Sequence, residues 1–308
     1  MNLHLQQELY QLRLKDVRFD EPMSRHTTMG VGGPTCLVIP GSLPELKKIL
    51  KWLYNREVSH YFAGSGSNLL VSDEGFDGVV ISLKGALKSI TIDDSLIITA
   101  EAGAMLGTLV RKAISRNIEN LESLIGVPGT VGGALAMNAG AFGREISQML
   151  QEVMVYNTAG AEKIYVASDL EFSYRSSSFK SDEIIVLARF QGVEGDPDTI
   201  KEHRDIVSRQ RRALQPLKHR SAGSIFKNPD GPLAAGYMID QVGLKGTVHG
   251  DAEISSKHAN FIINRGHASA ADISALIELI QEKVEAKFNV ALKLEVCLLG
   301  FKTEMSTC

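Results

Sequence analysis

The sequence predicts an α+β protein of two or three structural units. Short apolar runs bounded by Gly, Ser or Asp read as strands, capped amphipathic stretches read as helices, and the two do not follow a strict βαβ alternation. A length of 308 residues with 44% hydrophobic content is enough for large buried cores, which excludes disorder and collagen.

The elements follow in order. Ser42, Leu43, Pro44 and Glu45 read as a capping box, and Leu46, Ile49, Leu50 and Leu53 continue at helical spacing, so a helix is expected to about Arg56. Strands are expected at His60 to Ala63, Leu69 to Val71, Val79 to Leu83 and Leu96 to Ala100, with a helix from Ala104 to Arg116 after them. Val153 to Tyr156, Ile164 to Val166 and Ile184 to Phe190 read as further strands. The loop-like segment 192–198, GVEGDPD, then marks a domain boundary. Thr199 to Leu214 reads as a charged helix, Leu233 to Val242 as a short one and Asn260 to Ile263 as a strand. Ser269 with Asp272 opens a capped helix carrying Ile273, Leu276, Ile277, Ile280, Val284 and Phe288. In a last strand Leu292, Leu294, Val296 and Leu298 share a face, so Lys293, Glu295 and Cys297 are expected on the other. No internal repeat or low-complexity tract is evident.

A net charge of −3 argues against nucleic acid as a partner, because a basic excess or stripe is lacking. Cys36, Cys297 and Cys308 are odd in number and far apart, so neither a disulfide framework nor a CxxC site is read, and a reducing cytoplasm is expected. No stretch reaches the ~20 apolar residues of a membrane span, and the amino terminus does not read as a signal peptide or anchor. The eight scattered His residues form no metal constellation, so no metal is expected.

Glycine concentrates at 30–33 (GVGG), 64–68 (GSGSN) and 126–143 (GVPGTVGGALAMNAGAFG), the last with six Gly in 18 residues. Turns and tight packing account for any one cluster. Three together point to backbone that approaches a ligand closely and aims successive N–H groups at a diphosphate. GSGSNL has Leu69 where GxGxxG needs its third Gly, and no GxxxxGK[ST], HExxH, GxSxG or EF-hand loop occurs. A dinucleotide held in another way remains.

GSGSNLLVSD (64–73), the 126–143 run, YRSSSFK (174–180), GSIFKNP (223–229) and LKLEV (292–296) occur in an order that resembles the MurB family of UDP-N-acetylenolpyruvoylglucosamine reductases. The likeness spans about Thr27 to Gly300. It implies a two-lobed vanillyl-alcohol-oxidase-like (PCMH-type) FAD-binding region at 1–198, with lobes of roughly 20–85 and 86–198. A carboxy-terminal α+β substrate domain would occupy 199–308. Gly64, Ser65, Gly66, Ser67, Asn68 and Leu69 would line noncovalent FAD, as would Gly126, Gly129, Thr130, Gly132, Gly133, Asn138, Ala139 and Gly140. The absence of tyrosine between Tyr174 and Tyr237 resembles the shorter subtype that lacks a Tyr-bearing loop.

The resemblance implies NADPH as reductant and UDP-N-acetylglucosamine enolpyruvate as substrate. Ser224 would donate a proton, while Arg175 and Glu295 would polarise the substrate carboxylate. An Arg fork suits a carboxylate, and a preorganised charge in a dry site stabilises the charge that develops. Ser alone is a weak acid and needs a relay or a strongly basic partner. Lys227, Asn228, Lys245 and His258 would contact the nucleotide sugar. Considered singly, Ser224 fits turn chemistry, Arg175 a solvated surface, and Glu295 either water or a site. The stretch 209–220, RQRRALQPLKHR, with five Lys or Arg and no acid, reads as a solvated helix face or as an attractor for the UDP diphosphate. Another FAD oxidase of sugars or lactones, or a binding protein without turnover, stays open on the residues.

Overall fold

Ser42 caps the helix Leu43–Arg56, its Oγ accepting from Glu45 N–H at 3.4 Å. The reciprocal half of the expected capping box is absent, because the Glu45 carboxylate accepts from Lys15 and Gly41 N–H at 2.8 and 3.0 Å instead. Leu46, Ile49, Leu50, Trp52 and Leu53 are buried, as the 3.6-residue period requires. A helix at Leu3–Gln11 was not evident in the sequence. Only Leu9 is buried within it, and Glu8 ties it to the next helix by accepting from Trp52 Nε1 and from both Nε and Nη2 of Arg56.

The structure is a computed structural model that describes residues 1–301. Two separate apolar cores divide the chain. The first unit comprises Met1–Phe19, Cys36–Ser65 and Gly78–Arg211, and the second comprises Asp20–Thr35, Gly66–Asp77 and the chain from Arg212 onward. The compact units therefore part near residue 211 rather than at 198, and two amino-terminal stretches join the carboxy-terminal unit. The physical reason is strand pairing: Leu69–Val71 runs parallel to Cys297–Leu299, with Leu69 opposite Cys297, so the distant segment 66–77 is drawn into the second core.

In the first unit, strands Pro34–Ile39, Val79–Ser82 and His60–Ala63 pair in parallel. A five-stranded antiparallel sheet follows, ordered Glu162–Val166, Leu150–Asn157, Glu183–Gln191, Ile97–Glu101 and Ile90–Ile92. The helices Leu106–Ser115 and Val131–Ala136 share the same core. Asp196 caps the helix Pro197–Leu214 by accepting from Thr199 N–H at 2.8 Å, so the predicted loop ends as the start of that helix.

The second unit packs the helices Ala235–Gln241 and Ala270–Phe288 with the antiparallel strands Val248–His249, Ala252–Ile254 and Ile262–Asn264. The Ser269–Asp272 capping box is complete, and Asp73 adds to it by accepting from Ala270 and Ala271 N–H at 2.8 and 2.9 Å. Two strand expectations change. Asn260 and Phe261 precede the strand Ile262–Asn264, because their backbone is committed elsewhere: Asn260 O accepts from Ile225 N–H at 2.9 Å and Phe261 N–H donates to His258 O at 3.0 Å. The final strand is only Cys297–Leu299, and Cys297 is buried rather than outward, since both faces of this strand are covered. Among the described residues no helix is long and apolar enough to cross a membrane.

Candidate active site

Gly64 ends the strand His60–Ala63 with its carbonyl held by Ser82 Oγ at 3.1 Å. A Cβ at Gly64 would stand 2.8 Å from Thr130 Oγ1, so only glycine allows this approach to the 130–133 turn. Thr130 is buried and caps the short helix Val131–Ala136 through Gly133 N–H. Beside Gly64, Ser65 Oγ is buried and has no hydrogen-bond partner among the described residues. The Gly64 contact sets the two glycine-rich turns side by side, and the buried, unpartnered Ser65 hydroxyl next to it is the group a diphosphate would engage, so these residues fit a bound dinucleotide. Not every glycine serves that end. A Cβ at Gly132 would meet Ala102 Cβ at 2.9 Å, which marks a packing position.

Gly66, at φ +69°, belongs to the second unit, and any Cβ there would strike His26 O. Its carbonyl accepts from Thr28 N–H at 3.0 Å. Asn68 donates from Nδ2 to Glu295 O at 2.8 Å, and its own carbonyl accepts from Cys297 N–H at 2.9 Å. Leu69 is buried within its strand and packs rather than presenting itself at the surface.

Arg175 lies in the first unit at the tip of the hairpin formed by Phe172–Ser173 and Ser176–Ser177, in left-handed backbone at φ +55°. Such a conformation in a non-glycine residue costs roughly 1–2 kcal/mol and calls for surroundings that enforce it. They do: Arg175 Nη2 donates to Gly140 O at 3.0 Å, Ser177 Oγ donates to Ala136 O at 2.6 Å, and buried Asn138 donates from Nδ2 to Ser173 O at 3.0 Å and Glu145 Oε2 at 2.8 Å. The structure thus brings Asn138 and Gly140 together with Arg175. Ala139 links them, its carbonyl accepting from Ile146 N–H.

Ser224, Glu295 and Lys227 share the second unit. The N–H of Glu295 donates to Ile225 O at 2.8 Å and that of Lys227 to Lys293 O at 2.9 Å, so Phe226 and Leu294 form a bridge between two otherwise irregular segments. On its other edge Phe226 meets Asn260: its N–H donates to Asn260 Oδ1 at 3.0 Å, and its carbonyl accepts from Asn260 Nδ2 at 2.8 Å. Asn260 also accepts Ile225 N–H on its own carbonyl at 2.9 Å. This buried amide behaves as a third strand that fixes the loop after Ser224, and sequence reasoning missed it because an Asn amid apolar residues carries no local signal.

Asn228, Lys245 and His258 gather around the helix Ala235–Gln241. Asn228 Oδ1 accepts from Ala235 N–H at 3.0 Å, Lys245 Nζ pairs with Asp240 Oδ2 at 2.7 Å, and the His258 ring packs edge-on to Phe261 and against Gly236. Burial, aided by the positive charge of Lys245, holds His258 below the usual imidazole range. The stretch 209–220 is not one solvated face. Arg211 is half-buried and donates Nη2 to Gly126 O at 3.0 Å, and burial holds its pKa below the usual guanidinium range. Gly129 O accepts from Leu106 N–H. Among the described residues no group of three His, Cys, Asp or Glu is arranged to hold a metal.

A family described as UDP-N-acetylenolpyruvoylglucosamine reductase, C-terminal domain, matches residues 215–299, and one described as FAD binding domain matches residues 34–162. The chain is 41% identical to UDP-N-acetylenolpyruvoylglucosamine reductase of Syntrophus aciditrophicus over 92% of each protein. It is 42% identical to the enzyme of that name from Carboxydothermus hydrogenoformans, over 96% of this chain and 98% of the relative. The crystal structure of the reductase of Thermus caldophilus superposes with a TM-score of 0.80 at 37% identity, covering 92% of this chain and 100% of the other.

Proposed function

Because the chain belongs to the UDP-N-acetylenolpyruvoylglucosamine reductase family, we propose that it uses NADPH and bound FAD to reduce the enolpyruvyl double bond of UDP-N-acetylglucosamine enolpyruvate to UDP-N-acetylmuramate, in cytoplasmic synthesis of peptidoglycan precursors. When bound, FAD supplies the two-electron chemistry that passes hydride from NADPH to one carbon of the double bond. The chain's own task is to place a proton on the other carbon and to stabilise the charge that develops on the conjugated carboxylate.

The observation that carries the site assignment is the hydrogen bond from Glu295 N–H to Ile225 O, at 2.8 Å, which fixes the Glu295 peptide beside the loop that carries Ser224. Two residues far apart in sequence are held together without a shared regular strand. Ser224 is the proton donor in this reading. Its loop is held on one edge by Glu295 and Lys293 and on the other by Asn260, which limits the misplacement that would slow proton transfer. Glu295 and Arg175 polarise the carboxylate, Arg175 as a planar fork aimed by its enforced backbone. Ser65 and the Gly64 and Thr130 contact hold the dinucleotide. Lys227, Asn228, Lys245 and His258 belong to the nucleotide-sugar end of the site.

The test is steady-state turnover of purified, FAD-loaded protein with NADPH and the enolpyruvyl sugar under anaerobic conditions. Stoichiometric NADPH consumption, with a product two mass units heavier than the substrate, is the expected result. Flavin-loaded protein that reoxidises rapidly with oxygen and ignores the enolpyruvyl sugar would replace this reading with an oxidase.

A further inference from the structure

The segment GSGSN reads as cofactor backbone, yet its last residue spends its side chain on the other end of the chain. Asn68 Nδ2 donates to Glu295 O at 2.8 Å, and Asn68 O accepts from Cys297 N–H at 2.9 Å. These two bonds flank Val296, from the Glu295 carbonyl to the Cys297 N–H, and lead into the register in which Leu69 pairs with Cys297. Because the N–H of Glu295 is itself committed to Ile225 O at 2.8 Å, the Glu295 peptide is held at both its polar groups: on one side by the Ser224 loop, on the other by Asn68. Glu295 lies outside the strand Cys297–Leu299, so no regular ladder holds its carbonyl. The Asn68 amide takes that role.

We propose that Asn68 is a positioning residue for Glu295, coupling the cofactor motif to the placement of the carboxylate that acts on the substrate. The inference rests on the proposed role of Glu295. Freed of Asn68, the Glu295 carbonyl turns toward water and takes the Cα and carboxylate with it. A shift of about 1 Å in a reacting group costs up to about 100-fold. The loss should fall on the step in which substrate accepts reducing equivalents, not on reduction of the flavin by NADPH.

The experiment is a double-mutant cycle on FAD-saturated protein, with the two half-reactions followed separately by stopped-flow absorbance. Asn68→Ala should slow flavin reoxidation by the enolpyruvyl sugar about 10- to 100-fold. Reduction by NADPH should slow at least about 5-fold less than reoxidation does, since Glu295 takes no part in it and any contribution of Asn68 to the flavin site falls on both half-reactions alike. In a Glu295→Gln background the same substitution should add less than about 2-fold, because the group it positions has already lost its charge. A merely structural weakening would multiply through both backgrounds. Asn68→Asp keeps the side-chain shape but cannot donate once ionised, and should reproduce the pattern. If the alanine variant does not load with FAD, the aspartate variant carries the cycle. Multiplicative losses, or wild-type reoxidation in both Asn68 variants, would overturn the proposal. Absence of reoxidation by the enolpyruvyl sugar in the wild-type protein would instead overturn the proposed function on which it stands.

Discussion

Asn260→Ala removes the amide that pairs with both polar groups of the Phe226 backbone. Those groups point away from the Leu294 bridge, and with Ile225 and Phe226 at 0% and 1% exposure no solvent reaches them. A buried donor or acceptor left unpaired costs about 1–3 kcal/mol, so two of them give about 2–6 kcal/mol of local destabilisation. One pK unit of free energy is about 1.36 kcal/mol, so even the lower end is about a 30-fold loss of protection. Trp52, the only tryptophan, lies in the first unit and does not report on this loop, so the assay is amide hydrogen exchange at residues 225 and 226 together with urea unfolding followed by ellipticity. Asn260→Leu separates causes: it keeps the branched side-chain shape, in a somewhat larger volume, but none of the hydrogen bonds, and should be destabilised at least as much. If both variants lie within about 0.5 kcal/mol of wild type, Asn260 is a surface-like position and the third-strand argument is wrong. Reoxidation of flavin by substrate should also slow in both, because the loop bearing Ser224 loses one of its two edges.

Three further outcomes are expected. Gly64→Ala puts a methyl carbon 2.8 Å from Thr130 Oγ1 and should weaken FAD retention, measured as flavin fluorescence released on dilution; unchanged retention would remove Gly64 from the cofactor site. Asp73→Ala strips two charge-assisted caps from the helix Ala270–Phe288 and should cost about 1–3 kcal/mol in urea unfolding, and a change below about 0.3 kcal/mol would refute the cap. His258 is held below its ordinary value of about 6.5, so on acidification the unfolded chain takes up this proton before the folded one. Its contribution to stability is therefore whole above that value and declines as pH falls through it toward the folded pKa. The slope of melting temperature between pH 7 and about pH 5 should flatten in His258→Gln, and Lys245→Met should raise the His258 pKa by NMR titration. An unmoved pKa would contradict the electrostatic part of this account.

Much of this was legible in the sequence, because its signals are local. The Ser269 and Asp272 capping box, the period of Leu46 to Leu53, and the apolar run Leu69–Val71 each specify their element within a few residues. What stayed hidden is non-local. Asn68 and Glu295 are 227 residues apart, and no property of either announces the bond between them. The same distance hid the assignment of 66–77 to the carboxy-terminal unit, since a unit assembled from discontinuous segments has no compositional boundary. Alternation misplaced Cys297 because a strand covered on both faces does not alternate. The helix Leu3–Gln11 escaped for the opposite reason: a helix that buries a single leucine and is tied down by Glu8 has almost no apolar period to read. For Ser224, Arg175 and Glu295 the residue types suited the chemistry, but only the motif order distinguished them from turn and surface residues.

The central claim is tested most directly by the visible spectrum of the purified, FAD-loaded protein during two anaerobic additions, with Ser224→Ala alongside wild type. NADPH should bleach the yellow chromophore in both proteins at similar rates. The enolpyruvyl sugar should then restore the colour quickly in wild type and about 10²- to 10⁴-fold more slowly in Ser224→Ala, the usual worth of a general acid. A wild-type chromophore that stays bleached after the sugar is added would contradict the proposed reaction. Equal slowing of both additions in Ser224→Ala, with flavin content unchanged, would contradict the role given to Ser224.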